Sequence, residues 1–438
     1  MPANILITNA YSARNRGDAA IILGMVESLR RTEVFREAEI RVSSADHPAD
    51  AARYPLPVVP SFHSLKNRFS SSPGINALYF LVVLLPMSLM WAVAWRLGRL
   101  DLPLPGSLRE LMQAYTRADL VVAAGGGYLY TTSAIHGNVV LLITVYSFFF
   151  GMLLGKPVSL YAQSVGPFAG SLQAWLVRWA LSRVRLVEVR EKVSRQLLDG
   201  WGMPTPVQEA ADAAFLLEAR PPGERVQIVG ASGRPAVGMT VRRWFRDREQ
   251  QAEYERTMAS FVDWLVEHRE AEVIILPQVT YAEGHDDDRE AARSVVASVA
   301  RRERVRVVED ELGAKEIKWL CGRMGFFVGT RMHSNIFALS LGVPTLAVAY
   351  QPKTEGIMAA LGLEDFVVPI EDLSLQTLTD RFEALSRDQA KIREHLQEVI
   401  GEVEESAELA GRLIAEDFLS ILGHAPAATS DSSTQAER

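Results

Sequence analysis

Short apolar runs alternate with helical patterns along the whole chain, and this rhythm limits the possible folds more than any other feature. Four runs lie in the first half, at 5–9, 120–125, 158–163 and 185–189, and five in the second, at 236–241, 272–277, 305–309, 325–329 and 345–350. Continuous hydrophobicity is typical of strands that are covered by helices on both faces, as in parallel sheets. The pattern therefore predicts an α/β fold built from βαβ units.

The length of the chain points to two domains. At 438 residues it exceeds the size at which a single hydrophobic core usually keeps growing. A stretch rich in Pro, Gly and Ala at 201–234 separates the two sets of apolar runs. We expect an N-terminal domain over 1–203, a C-terminal domain over 204–373, helices over 374–423 and a disordered tail over 424–438.

Charge and cysteine content limit which binding partners and which cellular compartment we expect. The formal net charge of −7 gives no basic footprint, so we expect no nucleic-acid partner. The single cysteine, Cys321, excludes an intrachain disulfide and fits a reducing compartment. The N-terminal residues lead into a strand pattern without the features of a signal peptide, so we expect a cytoplasmic location.

One segment departs from the α/β rhythm, an apolar insertion at 69–99. It contains no charge from Phe69 to Trp95, is long enough for a bilayer-spanning helix and has basic residues on both flanks. Pro86 at its middle favours an interfacial or re-entrant hairpin over a straight span. We favour peripheral attachment to the inner face of the cell membrane, because Trp91 and Trp95 suit an interface. A helical hairpin packed on the first domain is the alternative.

Three turns that contain glycine follow strands in the first half. Ligands of open α/β sheets bind beyond the carboxyl ends of the strands, so these turns are expected to face a common cleft. Glycines let the backbone approach a ligand closely. The structural alternative for the first turn is that Gly17 is a turn residue and that Asp18 is favoured by the helix dipole. The candidate residues of the cleft loops are Asn15, Gly17, Asp18, Gly125, Gly126, Gly127 and Gln163.

The second half has its polar side chains at two neighbouring strand exits. Arg331 and His333 follow the run that ends at Gly329, and Lys353 and Glu355 follow the next strand. A histidine in this position can exchange protons near neutral pH, and an arginine can bind a phosphate or carboxylate. A helix-capping histidine beside a solvated arginine is the structural alternative.

Together these elements resemble the polysaccharide pyruvyl transferase family. The resemblance rests on the Asn15-Gly17-Asp18 and glycine turns, GKPVSLYAQSVGP at 155–167, VREKVS at 189–194, and the Arg331-Met332-His333 segment with its GVPTLAVAY continuation. It implies two Rossmann-like domains that face a cleft, similar to the GT-B glycosyltransferases. It also implies transfer of pyruvate from phosphoenolpyruvate to a sugar of a cell-surface polysaccharide or its lipid-linked precursor, forming a ketal. We expect the first domain to bind the acceptor and the second the donor.

The resemblance and the residues together suggest a mechanism. Phosphoenolpyruvate needs several fixed cations, for which Arg331 is the leading candidate, while His333 supplies or relays a proton. The remaining donor-site candidates are Arg190, Arg242, Lys353 and Glu355. We expect no metal and no other cofactor, because the acidic run at 285–288 reads as the favoured start of a helix.

Two departures from the family pattern and two rival functions remain. The apolar insertion is longer than a core connection requires, and Glu191-Lys192 stands where the family motif often has Asp-Glu. The first departure suggests a membrane-linked acceptor, and the second puts a catalytic role of Glu191 in doubt.

The rival functions are a metal-independent GT-B glycosyltransferase with a nucleotide-sugar donor and a non-catalytic scaffold of a polysaccharide-assembly complex.

Overall fold

The computed structural model of the chain describes residues 2–98, 103–131, 135–223, 233–281 and 286–423. The expected disordered tail, the last residue of the apolar insertion and the first residue of the acidic run at 285–288 lie outside these ranges. The described part contains two parallel sheets with helices on both faces.

The first sheet consists entirely of parallel strand pairs. Its strands are β1 (Asn4–Ala10), β2 (Glu39–Ser44), β3 (Val58–Pro60), β4 (Leu120–Ala123), β5 (Gly126–Leu129), β6 (Val158–Val165), β7 (Leu186–Val189) and β8 (Val207–Glu209). Their order is β3-β2-β1-β4-β6-β7-β8, and the short β5 continues the line of β4 along β6. This is the strand order of a Rossmann fold, with the change of direction between β1 and β4.

The second sheet repeats the same order with six strands. They are β9 (Ala236–Thr240), β10 (Glu272–Ile275), β11 (Val305–Val307), β12 (Phe326–Gly329), β13 (Thr345–Ala349) and β14 (Val367–Pro369). The spatial order β11-β10-β9-β12-β13-β14 changes direction between β9 and β12. The predicted α/β class with two Rossmann-like domains is therefore confirmed.

Helices cover both sheets. Those of the first half are α1 (Arg16–Arg31), α2 (Phe62–Asn67), α3 (Pro73–Tyr79), α4 (Leu85–Arg96), α5 (Gly106–Arg117), α6 (Ile135–Leu153), α7 (Ser171–Leu181) and α8 (Lys192–Gly200). Those of the second half are α9 (Arg248–Arg269), α10 (Asp288–Ser298), α11 (Ala314–Cys321), α12 (Met332–Leu339), α13 (Pro352–Ala360), α14 (Leu375–Arg387) and α15 (Gln389–Ile421).

The connection between the halves differs slightly from the expected boundary after residue 203. The first sheet extends past that point, because β8 pairs with β7 through Val187 and Val207. A short 3-10 helix, Ala213–Leu216, then packs against α1 and α15. The long α15 begins beside the second sheet, where Arg393 donates to the carbonyl of Gly325, and ends on the first domain, where Asp417 pairs with Arg185.

The apolar insertion does not form the hairpin expected at Pro86. Helices α3 and α4 are joined by a π-helical turn, Phe80–Leu84, into one helix of 24 residues, Pro73–Arg96. Pro86 lies in the first turn of α4, where the missing N–H leaves no helical hydrogen bond unmade, and the π-turn takes up the local change in backbone path. The helix packs along α2 and α6 of the first domain.

The glycine run also differs from the expected turn. Gly126 and Gly127 begin β5, and Gly126 has a φ of 129°, which only glycine adopts readily. Gln163 on β6 is fully buried and donates from Nε2 to the carbonyl of Gly126 at 2.6 Å. Gln163 thus holds the glycine run in place from below.

Candidate active site

A cavity of about 610 Å³ lies between the carboxyl ends of the two sheets. It sits at the point where the strand order changes direction in each domain, which is the usual ligand site of such sheets. Its charged and strongly polar lining residues include Asn9, Asn15, Asp18, Arg190, Arg242, Gln278, Asp286, Arg331, His333, Gln351 and Lys353. The glycines Gly17, Gly125, Gly126 and Gly127 also line it. Of the candidates from the sequence, Gln163 and Glu355 are not among the lining residues.

The glycine run on the first domain keeps the cavity open next to a cation. A Cβ on Gly127 would lie 3.4 Å from Nη2 of Arg190, and a Cβ on Gly125 would lie 3.1 Å from the carbonyl of Tyr161. The backbone of the glycine run therefore lies close to Tyr161 and Arg190, and it also borders the cavity. This arrangement leaves room for a ligand beside Arg190.

The first turn of α1 brings the two domains into contact. Asn15 caps the helix by accepting a hydrogen bond from the N–H of Gly17 at 3.0 Å. The N–H of Arg16 donates to the carbonyl of Gln278 in the second domain at 2.9 Å. A Cβ on Gly17 would lie only 2.2 Å from Nδ1 of His333, so only glycine fits at this position.

His333 lies in the first turn of α12 and contacts groups from both domains. Its Nε2 is buried, makes no hydrogen bond within the described residues and lies 3.6 Å from Oδ2 of Asp212. Its Nδ1 lies beside Gly17 at the cleft. One ring nitrogen is thus turned towards a carboxylate, while the other lies at the border between the domains.

Asp212 is a buried charged residue beside the cavity that was not singled out from the sequence. It caps the 3-10 helix and forms a buried ion pair with Arg190, with 2.6 Å between Oδ2 and Nη1. Burial acts to raise the pKa of Asp212, but the nearby Arg190 and His333 hold it below its usual range. Its carboxylate therefore stays ionised and links Arg190 to His333.

Arg331 is far less free than expected. Its Nη2 bonds to Asp288 at 2.5 Å and to Asp286 at 2.6 Å, and its Nε also donates to Asp288. Burial acts to lower its pKa, but the two carboxylates hold that pKa above the usual range. Within the described residues only Nη1 remains without a hydrogen bond. Internal carboxylates already pair with its charge, so the structure gives Arg331 less freedom to bind a donor anion than expected, and its leading role stays a prediction.

The acidic run that supplies those carboxylates begins a helix, as the sequence suggested. Asp287 caps α10, and the Asp288 carboxylate accepts hydrogen bonds from the N–H groups of Gln278 and Val279. No group of three or more metal-binding side chains comes together within the described ranges. The run holds the strand exit after β10 and fixes Arg331.

Arg242 forms part of an aromatic wall of the cleft. Its guanidinium lies 4.3 Å from the ring centre of Tyr350 and 5.1 Å from that of Trp244. Its Nη2 donates to Asp286 at 3.1 Å. Neither aromatic residue was singled out from the sequence, although Tyr350 ends the predicted run at 345–350 and Trp244 lies three residues after the run at 236–241.

Lys353 and Asp18 both line the cavity, and their opposite charges attract each other. Burial lowers the pKa of the Lys353 ammonium group, and no ion pair to this group exists among the described residues. Burial raises the pKa of the Asp18 carboxyl, and opposing charges, that of His333 first among them, offset this only in part. Lys353 lies in the first turn of α13, whereas Glu355 in the same turn is exposed and faces away from the cavity.

Glu191, where the sequence departs from the expected motif, has a local role. Its carboxylate accepts a hydrogen bond from the hydroxyl of Ser194 at 2.9 Å, and it precedes α8. It does not line the cavity. The doubt about a catalytic role of Glu191 is consistent with this position.

Solved structures share this architecture. UDP-GlcNAc 2-epimerase from Neisseria meningitidis, bound to UDP-GlcNAc, is 11% identical with a TM-score of 0.55, covering 96% of this chain and 100% of that one. HepE from Anabaena, in complex with UDP and glucose, is 14% identical with a TM-score of 0.55, covering 95% and 100%. At such identities the likeness shows the fold alone, which is that of the GT-B glycosyltransferases and UDP-GlcNAc 2-epimerases.

The sequence itself identifies the family. The amylovoran biosynthesis protein AmsJ of Erwinia amylovora is 26% identical over 438 residues, which cover 96% of this chain and the whole of AmsJ. The sequence model of the polysaccharide pyruvyl transferases matches residues 15–352, from the cap of α1 to the start of α13. This match takes in both walls of the cleft, and the chain accordingly belongs to the polysaccharide pyruvyl transferase family.

Proposed function

We propose that the protein transfers a pyruvyl group from phosphoenolpyruvate to a sugar and closes a ketal across two of its hydroxyls. Family membership supports a transferase with a polysaccharide-modifying role. The acceptor in this proposal is a saccharide of a cell-surface polysaccharide or its lipid-linked precursor. The relationship to an amylovoran biosynthesis protein supports that class of acceptor.

The observation that carries the proposal is a group of cations around one imidazole in a cavity between two domains. Arg190, Arg242 and Lys353 line the same space as His333. Arg190 uses Nη1 for Asp212 and Nε for Ser164, which leaves Nη2 beside the glycine run. A donor with a carboxylate and a phosphate needs this kind of multiple positive surrounding.

The chemistry follows from the position of His333. A proton from its imidazolium is transferred to the methylene carbon of the donor, which becomes a methyl group, and C2 becomes electrophilic. We assign this proton to Nδ1, because Nε2 is turned towards the Asp212 carboxylate. The ionised Asp212 acts as a counter-ion for the protonated ring.

Two sugar hydroxyls then replace the phosphate. The first hydroxyl oxygen attacks C2 and gives up its proton, and the bond from C2 to the phosphate oxygen breaks. Inorganic phosphate leaves with one proton, and the second hydroxyl attacks the same carbon and loses its own. Asp18, whose pKa burial raises, lies in the cavity as a candidate acceptor for one of these protons. Positioning of both hydroxyls contributes much of the rate.

We place this reaction in the cytoplasm, where the buried Cys321 remains a free thiol. Peripheral membrane contact through 69–99 belongs to the same proposal. No metal or other cofactor takes part in the scheme.

The test is a direct assay of the purified protein. It is incubated with phosphoenolpyruvate and lipid-linked oligosaccharide extracts, and mass spectrometry then detects a pyruvyl ketal on the sugar while phosphate release is measured. A His333→Ala protein is the control and should release no phosphate above background. Release of a nucleotide from a nucleotide sugar, without use of phosphoenolpyruvate, would show a glycosyltransferase instead.

A further inference from the structure

The helix Pro73–Arg96 presents a continuous apolar face to the outside. Among the described residues it is the one helix long and apolar enough to cross a membrane, and 28% of its most apolar stretch is buried. Three of its large side chains, Leu78, Val82 and Val93, are about 60% exposed (61%, 63% and 60%). Exposed apolar surface of this extent marks a site of interaction.

The other face of this helix is fixed to the domain, which argues against a transmembrane span. Ser88 shares a hydrogen bond with the hydroxyl of Tyr146 on α6 at 2.7 Å, and the Nε of Arg96 donates to the carbonyl of Leu153 at 3.0 Å. Phe80 is fully buried against Tyr146. A spanning helix would have to give up all of these contacts, so the helix lies along the domain surface.

The charged side chains on the helices of this face have one sign, although the neighbouring α5 carries Glu110. Helices α2, α3, α4, α6 and α7 and the π-helical turn contain no Asp or Glu, although the chain has 53 such residues. The charged side chains of these helices are those of Lys66, Arg96 and Arg178. Lys66 is buried, whereas Arg96 and Arg178 are exposed, so the charge that these helices present to the outside is positive and complementary to an anionic bilayer.

The surface continues beyond the long helix. On α7, Leu172 is 71% exposed and Trp175 57% exposed. Next to the end of α6, an open groove of about 450 Å³ combines Met152 and Leu153 with Lys156 and Arg183. Apolar side chains beside basic ones suit the boundary between acyl chains and phosphate headgroups.

This face leads to the cleft. Helix α6, on which the long helix packs, contributes Gly137 and Val140 to the lining of the cavity. Tyr130, also part of the lining, is 49% exposed. The route from the apolar face to the cavity therefore runs along one helix.

We propose that the face formed by α3, α4 and α7, with the basic groove at the end of α6, docks in the plane of an anionic phospholipid bilayer. The helix lies at the boundary between acyl chains and headgroups, and the cleft opens beside it towards a lipid-linked acceptor. The inference rests on the proposed function only for the nature of that acceptor. The contact with lipid stands on the face itself.

Co-sedimentation with vesicles tests the docking. The full chain should bind vesicles of phosphatidylglycerol and phosphatidylethanolamine, bind phosphatidylcholine vesicles weakly, and be released by salt. The double variant Leu78→Ser/Val93→Ser should have an affinity for these vesicles that is at least roughly tenfold lower, because two exposed apolar side chains are lost. The matched control, Val193→Ser/Leu375→Ser, changes a Val and a Leu that are exposed on other surfaces and should bind like the wild type.

A charge variant separates the basic contribution. Arg178→Gln should weaken binding roughly fivefold on the anionic vesicles and leave binding to phosphatidylcholine unchanged. Wild-type protein that stays in the supernatant with anionic vesicles would overturn the inference. So would light scattering that shows a dimer which the Leu78→Ser/Val93→Ser variant breaks, because a second copy would then cover this face.

Activity keeps this failure distinct from failure of the proposed function. On a short soluble acceptor, the Leu78→Ser/Val93→Ser variant should use phosphoenolpyruvate at the wild-type rate, since neither residue lines the cavity. On vesicle-bound acceptor its rate should fall in proportion to its binding. Vesicle binding without any use of phosphoenolpyruvate would leave the docking intact and reject the proposed reaction.

Discussion

The two walls of the cleft are built from the same strand order but carry different side chains. The wall from the first domain presents the glycines after β4, and Arg190 is its cation. The wall from the second domain presents Arg242, Arg331 and Lys353 together with the imidazole of His333. In the proposed function, the second wall therefore supplies most of the positive charge and the proton donor, while the first wall supplies open space beside Arg190. This difference supports our assignment of the acceptor to the first domain and the donor to the second.

Removing the imidazole of His333 from the second wall should cause the largest loss of rate. We expect His333→Ala to lower kcat by about 10²–10⁴-fold, the usual contribution of a general acid, while phosphoenolpyruvate still binds. Phosphate release in single turnovers measures the change. His268→Ala, an exposed histidine on α9, is the matched control. Full activity of the His333 variant would mean that the second wall carries no proton donor at this position.

A side chain added at the contact between the two walls should have the second-largest effect on the rate. In Gly17→Ala the new Cβ would meet Nδ1 of His333 at 2.2 Å, so the ring must move. A displacement of this size should lower kcat roughly 100-fold. Gly401→Ala, which has open space around its Cβ position, should change nothing. If Gly17→Ala keeps its rate, the position of the ring relative to the first wall is not important for the reaction.

Asp212→Asn tests the link between the walls. Loss of the carboxylate leaves the buried Arg190 guanidinium without its ion pair, which should destabilise the fold by about 3–5 kcal/mol. Because the pKa of Asp212 is lowered in the folded state, the ion pair stabilises the wild type above the ordinary Asp range. This stabilisation is lost as the pH falls through the lowered pKa. Denaturant unfolding across acidic pH should therefore show a steeper decline for the wild type than for the variant.

A smaller effect should separate donor binding from catalysis. Lys353→Gln should raise the KM for phosphoenolpyruvate roughly tenfold, because one charge-assisted contact is lost. Burial lowers the pKa of Lys353, so its ammonium group loses its proton at a lower pH than that of an exposed lysine. The affinity of the wild type for the donor should therefore begin to fall at that lower pH. In Lys353→Arg this alkaline loss should disappear. A pH-independent KM in the wild type would contradict the assignment.

The smallest effect should come from the first wall. Tyr130 is half-exposed at the cleft, and Tyr130→Ala should raise the KM for the acceptor roughly fivefold through loss of ring stacking. The KM for phosphoenolpyruvate should not change. The reverse outcome, with only the donor KM affected, would reverse the roles of the walls.

Much of the scaffold could be read from the sequence because the central strands are continuous apolar runs. All nine predicted runs contain strands, whereas β2, β3, β5, β8 and β14 were not predicted. Four of these, β3, β5, β8 and β14, have only three or four residues, too few to give a period. The strand exits also placed Arg331, His333 and Lys353 on one rim.

The differences from the sequence-based expectations concern mainly partners that are distant in sequence. Arg331 looked like a free cation because Asp288, its counter-ion, lies 43 residues earlier. Asp212 gave no signal because its role depends on Arg190 and His333, which belong to different domains. The hairpin at Pro86 was wrong because a proline next to a π-turn costs little. Such pairings depend on the folded chain and leave no local pattern.

The 33-residue α15 has a consequence for how the enzyme can open. It is one unbroken helix with its first turns on the second domain and its last turns on the first, alongside the connection through the 3-10 helix. A helix cannot be stretched, so the halves can swing around this brace but not slide apart. Any change in the width of the cleft is therefore tied to a bend in α15 or a rotation about it.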